Sequence, residues 1–156
     1  METAFALTVF VIASFAAAAS GGLFPPGEWY ERLNHPSWRP PNWVFPLVWT
    51  PLYCMIAASA FLVWRQVGWS AGAAAFAVFF IHLGFNFAWS WVFFGLRRMD
   101  WALIELGMLW LSIVATMAMF FPLSATAGWL LAPYLVWVSF AGYLNFTMVR
   151  LNPVAA

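Results

Sequence analysis

Charged side chains are scarce in this sequence. Asp, Glu, Lys and Arg make up only 7% of its 156 residues, against about 25% in soluble domains. Lysine is absent, all six basic residues are arginine, and the net charge is only +1. This composition excludes a disordered chain and an ordinary cytosolic enzyme, and it provides no basic surface for nucleic acid.

Cysteine is almost absent as well. The single Cys54 excludes an intrachain disulfide and a cysteine metal cluster. His82 has no second ligand at helical spacing, so we predict no metal site and no required cofactor. A nucleophile with a paired general base is also missing, which leaves conventional acid–base catalysis without support.

Long apolar runs dominate the sequence, since 65% of its residues are hydrophobic. A run of about 20 residues crosses a bilayer, and the bilayer interior requires such a run to be helical. We therefore predict an all-α integral membrane protein, a bundle of five transmembrane helices in a single domain, residues 1–156. The predicted spans are about 3–24, 44–64, 71–94, 101–121 and 128–149, with a long first loop at 25–43. The first span has no basic segment before it and exceeds a signal-peptide core, so we expect it to be retained.

The arginines predict the orientation of the bundle. An odd number of spans puts the termini on opposite sides, and basic residues favour the inside. Only Arg65 lies on the side of the N-terminus, whereas the other side holds Arg32, Arg39, Arg97, Arg98 and Arg150. We predict the N-terminus outside and the C-terminus inside.

The third predicted span carries polar side chains into the membrane. His82, Asn86 and Ser90 recur every four residues and so share one helix face. This face either lines a cavity or hydrogen-bonds a neighbouring helix, and the pattern leaves both open. Small residues follow another face, which suits close contact with a second protomer. This candidate dimer interface comprises Ala73, Ala77, Gly84 and Ala88.

Glu105 lies one turn inside the fourth predicted span, shortly after Asp100 and the pair Arg97–Arg98. A carboxylate near a helix N-terminus is stabilised by the helix dipole and reaches arginines at the membrane surface. We therefore favour a structural ion pair over a proton relay for Glu105.

The twelve tryptophans form two groups. One group lies at the span ends, where aromatic residues anchor helices at the membrane surface: Trp43, Trp64, Trp69, Trp101 and Trp129. The other lies inside spans or in the first loop: Trp29, Trp38, Trp49, Trp89, Trp91, Trp110 and Trp137. Indoles gathered around a cavity stack on a large flat ligand and offer N–H donors, so the second group predicts a pocket for such a ligand.

Three motifs carry a family resemblance. The first loop contains PSWRPPNWVF (36–45), the third span NFAW (86–89) and the fifth span PYLVW (133–137). Together these motifs resemble the TspO/MBR family, the tryptophan-rich sensory proteins related to the translocator protein or peripheral benzodiazepine receptor. The resemblance covers essentially the whole chain. We expect a bacterial member, because the chain stops soon after Arg150.

The resemblance implies a homodimer of five-helix bundles, each with a pocket beneath the first loop. Such a pocket is expected to bind porphyrins, as protoporphyrin IX or haem, and benzodiazepine-type ligands. The positions that match it are Trp38, Trp49, Asn86, Trp89, Trp101, Tyr134, Trp137, Ala141 and Leu144. Arg32 or Arg39 is then a candidate partner for porphyrin propionates. The family's sterol pattern needs a tyrosine where this chain has Phe146, so we do not expect sterol binding.

The resemblance further implies a membrane sensor or carrier of tetrapyrroles, with a role in porphyrin homeostasis and in stress- or oxygen-dependent regulation. Two alternatives stay open. One is light-driven degradation of protoporphyrin IX, in which Trp49 and Trp137 would take part, and the other is passive transport of tetrapyrroles or membrane lipids. We expect a multi-pass protein of a bacterial membrane, with the inner membrane favoured and the outer membrane left open.

Overall fold

The computed structural model describes residues 1–153, and its regular structure there is entirely helical. The elements are α1 Glu2–Ala18, α2 Ser20–Leu23, α3 Glu28–Glu31, α4 Val44–Ser90 with a π-helical turn Trp91–Gly95 after it, α5 Met99–Phe120, α6 Ala125–Leu130 and α7 Ala132–Leu151. Four stretches are long and apolar enough to cross a membrane: Glu2–Leu23, Val44–Gly95, Met99–Phe120 and Ala125–Leu151. These stretches confirm the prediction of an all-helical membrane protein.

Helix α4 doubles back on itself at Gly68. The backbone there has φ 68° and ψ −174°, a conformation that is essentially restricted to glycine. The first arm of α4, residues 44–67, and the second arm, residues 69–90, are otherwise helical. The connection between the second and third predicted spans is therefore a turn at one glycine, and both helices extend closer to it than the sequence predicted.

The half of the bundle around this turn is filled with aromatic side chains. Phe10 of α1 is fully buried, and its ring centroid lies 5.3 Å from that of Phe76 and 5.7 Å from that of Phe79. Phe79 in turn stacks on Phe120 at the end of α5 at 6.0 Å. Aromatic pairs of this kind add to the stability that burial provides. Aromatic side chains therefore fill this half of the bundle.

The first loop, the π-helical turn and the end of α7 meet at the other end of the bundle. The Asn34 amide N–H donates to Asn152 Oδ1 at 2.8 Å, and Asn152 Nδ2 donates to the Asn34 carbonyl at 3.0 Å. Tyr30 packs against Phe94 of the π-helical turn, with ring centroids 5.3 Å apart. The arginines that were assigned to one side from the sequence lie in the first loop, between the π-helical turn and α5, and near the end of α7.

Candidate functional site

A cavity of about 580 Å³ opens beneath the first loop, within the range of about 300–1,000 Å³ typical of small-molecule sites. Its walls come from α1, α2, both arms of α4, the π-helical turn, α5, α7 and the first loop. Seven lining residues are also exposed: Phe15, Gly21, Gly22, Pro26, Asn42, Pro46 and Thr50. The cavity is therefore open where α1, α2 and the first loop face the first arm of α4.

Indole rings form much of the cavity wall. Trp49 and Trp137 meet edge to face, with ring centroids 6.4 Å apart and planes at 89°, and Trp89 lines the cavity beside Phe93. The Nε1 atoms of Trp89 and Trp137 are buried and have no hydrogen-bond partner among the described residues. These two N–H groups lie within the wall and not on the surface of the cavity, so the indoles offer it their apolar rings.

Asn86 lies on the cavity floor and holds three helices together. Tyr53 of the first arm donates its hydroxyl to Asn86 Oδ1 at 2.5 Å, and Asn86 Nδ2 donates to the Tyr134 hydroxyl of α7 at 2.8 Å. An amide has two N–H donors and two lone pairs, so each end of Asn86 keeps capacity for a ligand. Asn86 therefore both lines the cavity and hydrogen-bonds neighbouring helical segments, so both interpretations of the polar face apply to it.

The rest of the polar face divides between the cavity and the core. Ser90 lines the cavity and accepts a hydrogen bond from Ser20 of α2 at 3.1 Å. His82 is fully buried against Phe79, with ring centroids 5.1 Å apart, and does not line the cavity. Neither of its ring nitrogens has a partner within residues 1–153.

The structure brings most of the predicted pocket residues together. Those that line the cavity are Trp49, Asn86, Trp89, Trp137, Ala141 and Leu144. Tyr134 is fully buried and is not among the lining residues, but it contacts two of them, Asn86 by a hydrogen bond and Trp49 edge to face at 6.0 Å. A contact of these residues with a ligand stays a prediction.

Trp38 and Trp101 do not line the cavity. The ring of Trp38 is 41% exposed and stacks on Tyr143 of α7, with centroids 5.2 Å apart. Trp101 is 58% exposed and lies beneath the Arg98 guanidinium, whose carbon is 4.9 Å from the ring centroid. The path of the loop over α7 carries Trp38 to the outer surface, and Trp101 occupies the outward face of the first turn of α5.

The lining residues that were not predicted include Tyr30, Asn42 and Asn145. With its amide oriented to suit its neighbours, Asn145 donates to the Met99 carbonyl and accepts from the Leu103 N–H, both at 3.1 Å. Its sequence signal was a polar residue at helical spacing from Ala141 and Met148 in an apolar span. Tyr30 and Asn42 gave no such signal, because their placement depends on the fold of the loop.

The predicted ion pair of Glu105 with an arginine was wrong. Arg98 instead pairs with Asp100 at 2.5 Å, and the Glu105 carboxylate oxygens are buried without a partner in the described part of the chain. Asp100 and Glu105 are five residues apart, which places them roughly 140° apart around α5. An arginine outside the helix end therefore cannot reach both.

The first loop carries a polar cluster beside the cavity mouth. Arg39 Nη1 donates to the His35 ring at 3.2 Å, and Arg39 Nη2 donates to Asn42 Oδ1 at 3.0 Å. Burial, together with the charge of Arg39, lowers the pKa of His35 below its ordinary 6.5. Burial also raises the pKa of the Tyr30 hydroxyl, although Arg39 opposes this shift. At neutral pH the cluster therefore holds a neutral His35 and a cationic Arg39.

The small residues of the predicted dimer interface lie on the outside of the second arm. Ala73, Ala77 and Gly84 are exposed, and Ala88 is half-buried. The placement leaves this face available to another helix, and dimerisation stays a prediction.

Comparison with known proteins gives consistent matches over nearly the whole chain. The sequence model of the TspO/MBR family matches residues 5–151. A tryptophan-rich sensory protein of Cereibacter sphaeroides is 45% identical over 152 residues, which cover 97% of this chain and 94% of that protein. Protein CrtK of Rhodobacter capsulatus is 39% identical, covering 93% and 91%. The human translocator protein is 36% identical, covering 92% and 88%.

Proposed function

Because this chain belongs to the TspO/MBR family, we propose that its aromatic cavity binds a tetrapyrrole, protoporphyrin IX or haem, as part of a membrane sensor or carrier. The observation that carries the proposal is a cavity of about 580 Å³ whose lining includes the indoles of Trp49, Trp89 and Trp137 and the amide of Asn86. A flat, apolar ring with polar groups at its edge fits the aromatic walls and the amide of this cavity.

Each part of the cavity has a physical task in this proposal. Trp49 and Trp137 provide flat apolar surface, and the Asn86 amide, fixed by Tyr53 and Tyr134, offers its remaining donor and acceptor. Neither His35 nor His82 is among the residues that line the cavity. Haem would therefore be held by its ring and edge rather than by an imidazole on its iron.

Reduction of single indoles tests the proposal. Phenylalanine keeps an aromatic ring but offers less flat surface, so Trp89→Phe and Trp137→Phe should each weaken protoporphyrin IX binding by about two- to tenfold, as expected for the loss of part of one aromatic contact. Trp110→Phe is the matched control, because Trp110 Nε1 donates to Ser139 away from the cavity at 2.9 Å. Quenching of the remaining tryptophan fluorescence gives the affinities. Equal affinity in all four proteins would exclude this site.

A second candidate function is light-driven breakdown of the bound porphyrin in the presence of oxygen. The edge-to-face contact of Trp49 and Trp137 favours it, because it places two oxidisable indoles beside the ligand. Illumination of the porphyrin complex should then yield a product that Trp49→Phe or Trp137→Phe fails to form although porphyrin remains bound. Bleaching at the same rate in the intact protein and both variants would leave binding alone.

The membrane topology forms part of the proposal. Each arm of α4 has more than twenty residues, enough to cross a hydrocarbon core of about 30 Å at 1.5 Å per residue. We therefore assign five crossings, with the arginine-rich end inside and the small-residue face of the second arm as the contact in a homodimer. Benzodiazepine-type ligands are expected to occupy the same cavity. Labelling of single cysteines placed at residues 2 and 66 and at residue 32, in a Cys54→Ser background, from either side of the inner membrane tests the orientation.

A further inference from the structure

Arg39 is the cation that the structure holds at the cavity mouth. Its guanidinium carbon lies 5.2 Å from the ring centroid of Tyr30, and its Nη2 donates to Asn42. Tyr30 and Asn42 both line the cavity. The guanidinium therefore borders the site through two of the residues that form its rim.

No carboxylate among residues 1–153 pairs with Arg39. The ion pairs among residues 1–153 are Arg32 with Glu28 and Arg98 with Asp100. The acidic neighbour Glu31 instead accepts from Asn42 Nδ2 at 3.4 Å. Arg39 thus contacts a neutral imidazole, an amide oxygen and an aromatic face. A guanidinium has five N–H donors and favours a carboxylate that it can bind with two of them.

Arg32, the other arginine of the loop, cannot serve the cavity. Its side chain is 79% exposed and pairs with Glu28, whose side chain is 87% exposed, at 2.8 Å. Arg32 is not among the lining residues, and its side chain hydrogen-bonds Glu28, which is not one either. Arg32 is for the same reason a matched control.

We propose that Arg39, held by Tyr30 and Asn42, is a carboxylate-binding site at the cavity mouth. This inference rests on the proposed function and specifies its ligand class, a flat apolar molecule with an acid group on one edge. The apolar part lies among the indoles, and the acid edge faces the loop. Phe45 and Tyr53 both line the cavity, and the first arm of α4 rises about 12 Å between them. The cavity is therefore deep enough for the apolar part of the ligand to lie away from the guanidinium. At this end the carboxylate also avoids the cost of ionisation in the hydrocarbon core.

The test compares protoporphyrin IX with its dimethyl ester, which keeps the macrocycle but lacks both carboxylates. Both are titrated into the full-length protein and into Arg39→Gln and Arg32→Gln, in the same detergent. For each protein the quantity compared is the Kd of the ester divided by the Kd of the acid. This ratio should be about tenfold higher in the intact protein and in Arg32→Gln than in Arg39→Gln, as expected for a charge-assisted pair. This preference should decline with salt only in the proteins that keep Arg39.

The ester reports on folding and separates the two proposals. Unchanged ester affinity in Arg39→Gln shows that the cavity is intact, so a loss confined to the acid supports the carboxylate site. Equal losses of acid and ester, or an acid preference that survives in Arg39→Gln, overturns it. If the intact protein binds neither compound, the proposed function itself is excluded.

Discussion

The Tyr53 hydroxyl lies 2.5 Å from Asn86 Oδ1, although both residues belong to the same helix, Val44–Ser90. The contact exists because α4 reverses at Gly68 and returns along its own first arm. Tyr134 of α7 is hydrogen-bonded to the other end of the same amide. The Asn86 side chain therefore joins the two arms of α4 to α7 at the floor of the cavity.

Removal of the Tyr53 hydroxyl should destabilise the protein. Tyr53→Phe leaves Asn86 Oδ1 buried without its donor, and we expect the free energy of unfolding to fall by about 0.5–1.5 kcal/mol. Tyr143→Phe also removes one hydroxyl, but Tyr143 is 61% exposed, so no change is expected there. Thermal unfolding in detergent compares the two. Equal stability of both variants would show that the hydrogen bond contributes nothing.

Substitution of Gly68 should be more damaging. Its φ of 68° with ψ of −174° is unfavourable for any residue with a Cβ, and we expect Gly68→Ala to cost about 1–3 kcal/mol. No atom lies within 4 Å of a Cβ built at Gly68, so the cost would come from the backbone and not from a clash. Folded yield and thermal stability measure it.

Gly107→Ala is the control for that experiment. Gly107 lies inside α5 and has equally free space around a built Cβ. There alanine should be neutral or stabilising by up to about 1 kcal/mol, because it reduces the entropy of the unfolded chain. If both alanines behave alike, the turn does not depend on the glycine conformation.

The sequence predicted the parts of this fold that depend on local periodicity. Apolar length located the long helices, and the four-residue spacing of His82, Asn86 and Ser90 identified one buried face. The spacing did not predict that His82 lies below the cavity. Whether a residue on this helix face reaches the cavity depends on where the neighbouring helices end. The family motif identified Trp38, but only the path of the folded loop shows that its ring stacks on Tyr143.

The first loop should open more readily in acid. The pKa of His35 in the closed loop lies below its ordinary 6.5, mainly because burial disfavours the charged ring and further because Arg39 is adjacent. An opened loop then takes up a proton at a higher pH than a closed one. The free energy of loop closure should therefore become less favourable as the pH falls below about 6.5. It stops changing once the pH is below the pKa of His35 in the closed loop.

Amide hydrogen exchange of residues 33–39 measures this opening between pH 5 and pH 8. The groups that face His35 are Arg39, Glu31 and Tyr30. Of these Glu31 opposes the shift, so Glu31→Gln should strengthen the pH dependence. His35→Gln keeps a polar neutral side chain. Dividing the exchange rate of the intact protein by that of His35→Gln at each pH removes the intrinsic pH dependence of amide exchange. An unchanged ratio of intact protein to His35→Gln across this range would contradict the expectation.

Asn152 should control how firmly the loop is attached to the bundle. Its side chain accepts from the Asn34 N–H and donates to the carbonyls of Asn34 and Met148, at 2.8, 3.0 and 2.9 Å. Asn152→Ala leaves the Asn34 backbone unpaired, which should raise loop opening by about 1–3 kcal/mol. We expect faster exchange of the Asn34 amide and faster dissociation of protoporphyrin IX, with the cavity contacts themselves unchanged. Thr147→Ala is the control in α7, because the Thr147 hydroxyl bonds only the Tyr143 carbonyl of its own helix at 2.8 Å. A dissociation rate equal to that of the control would show that the loop does not limit release.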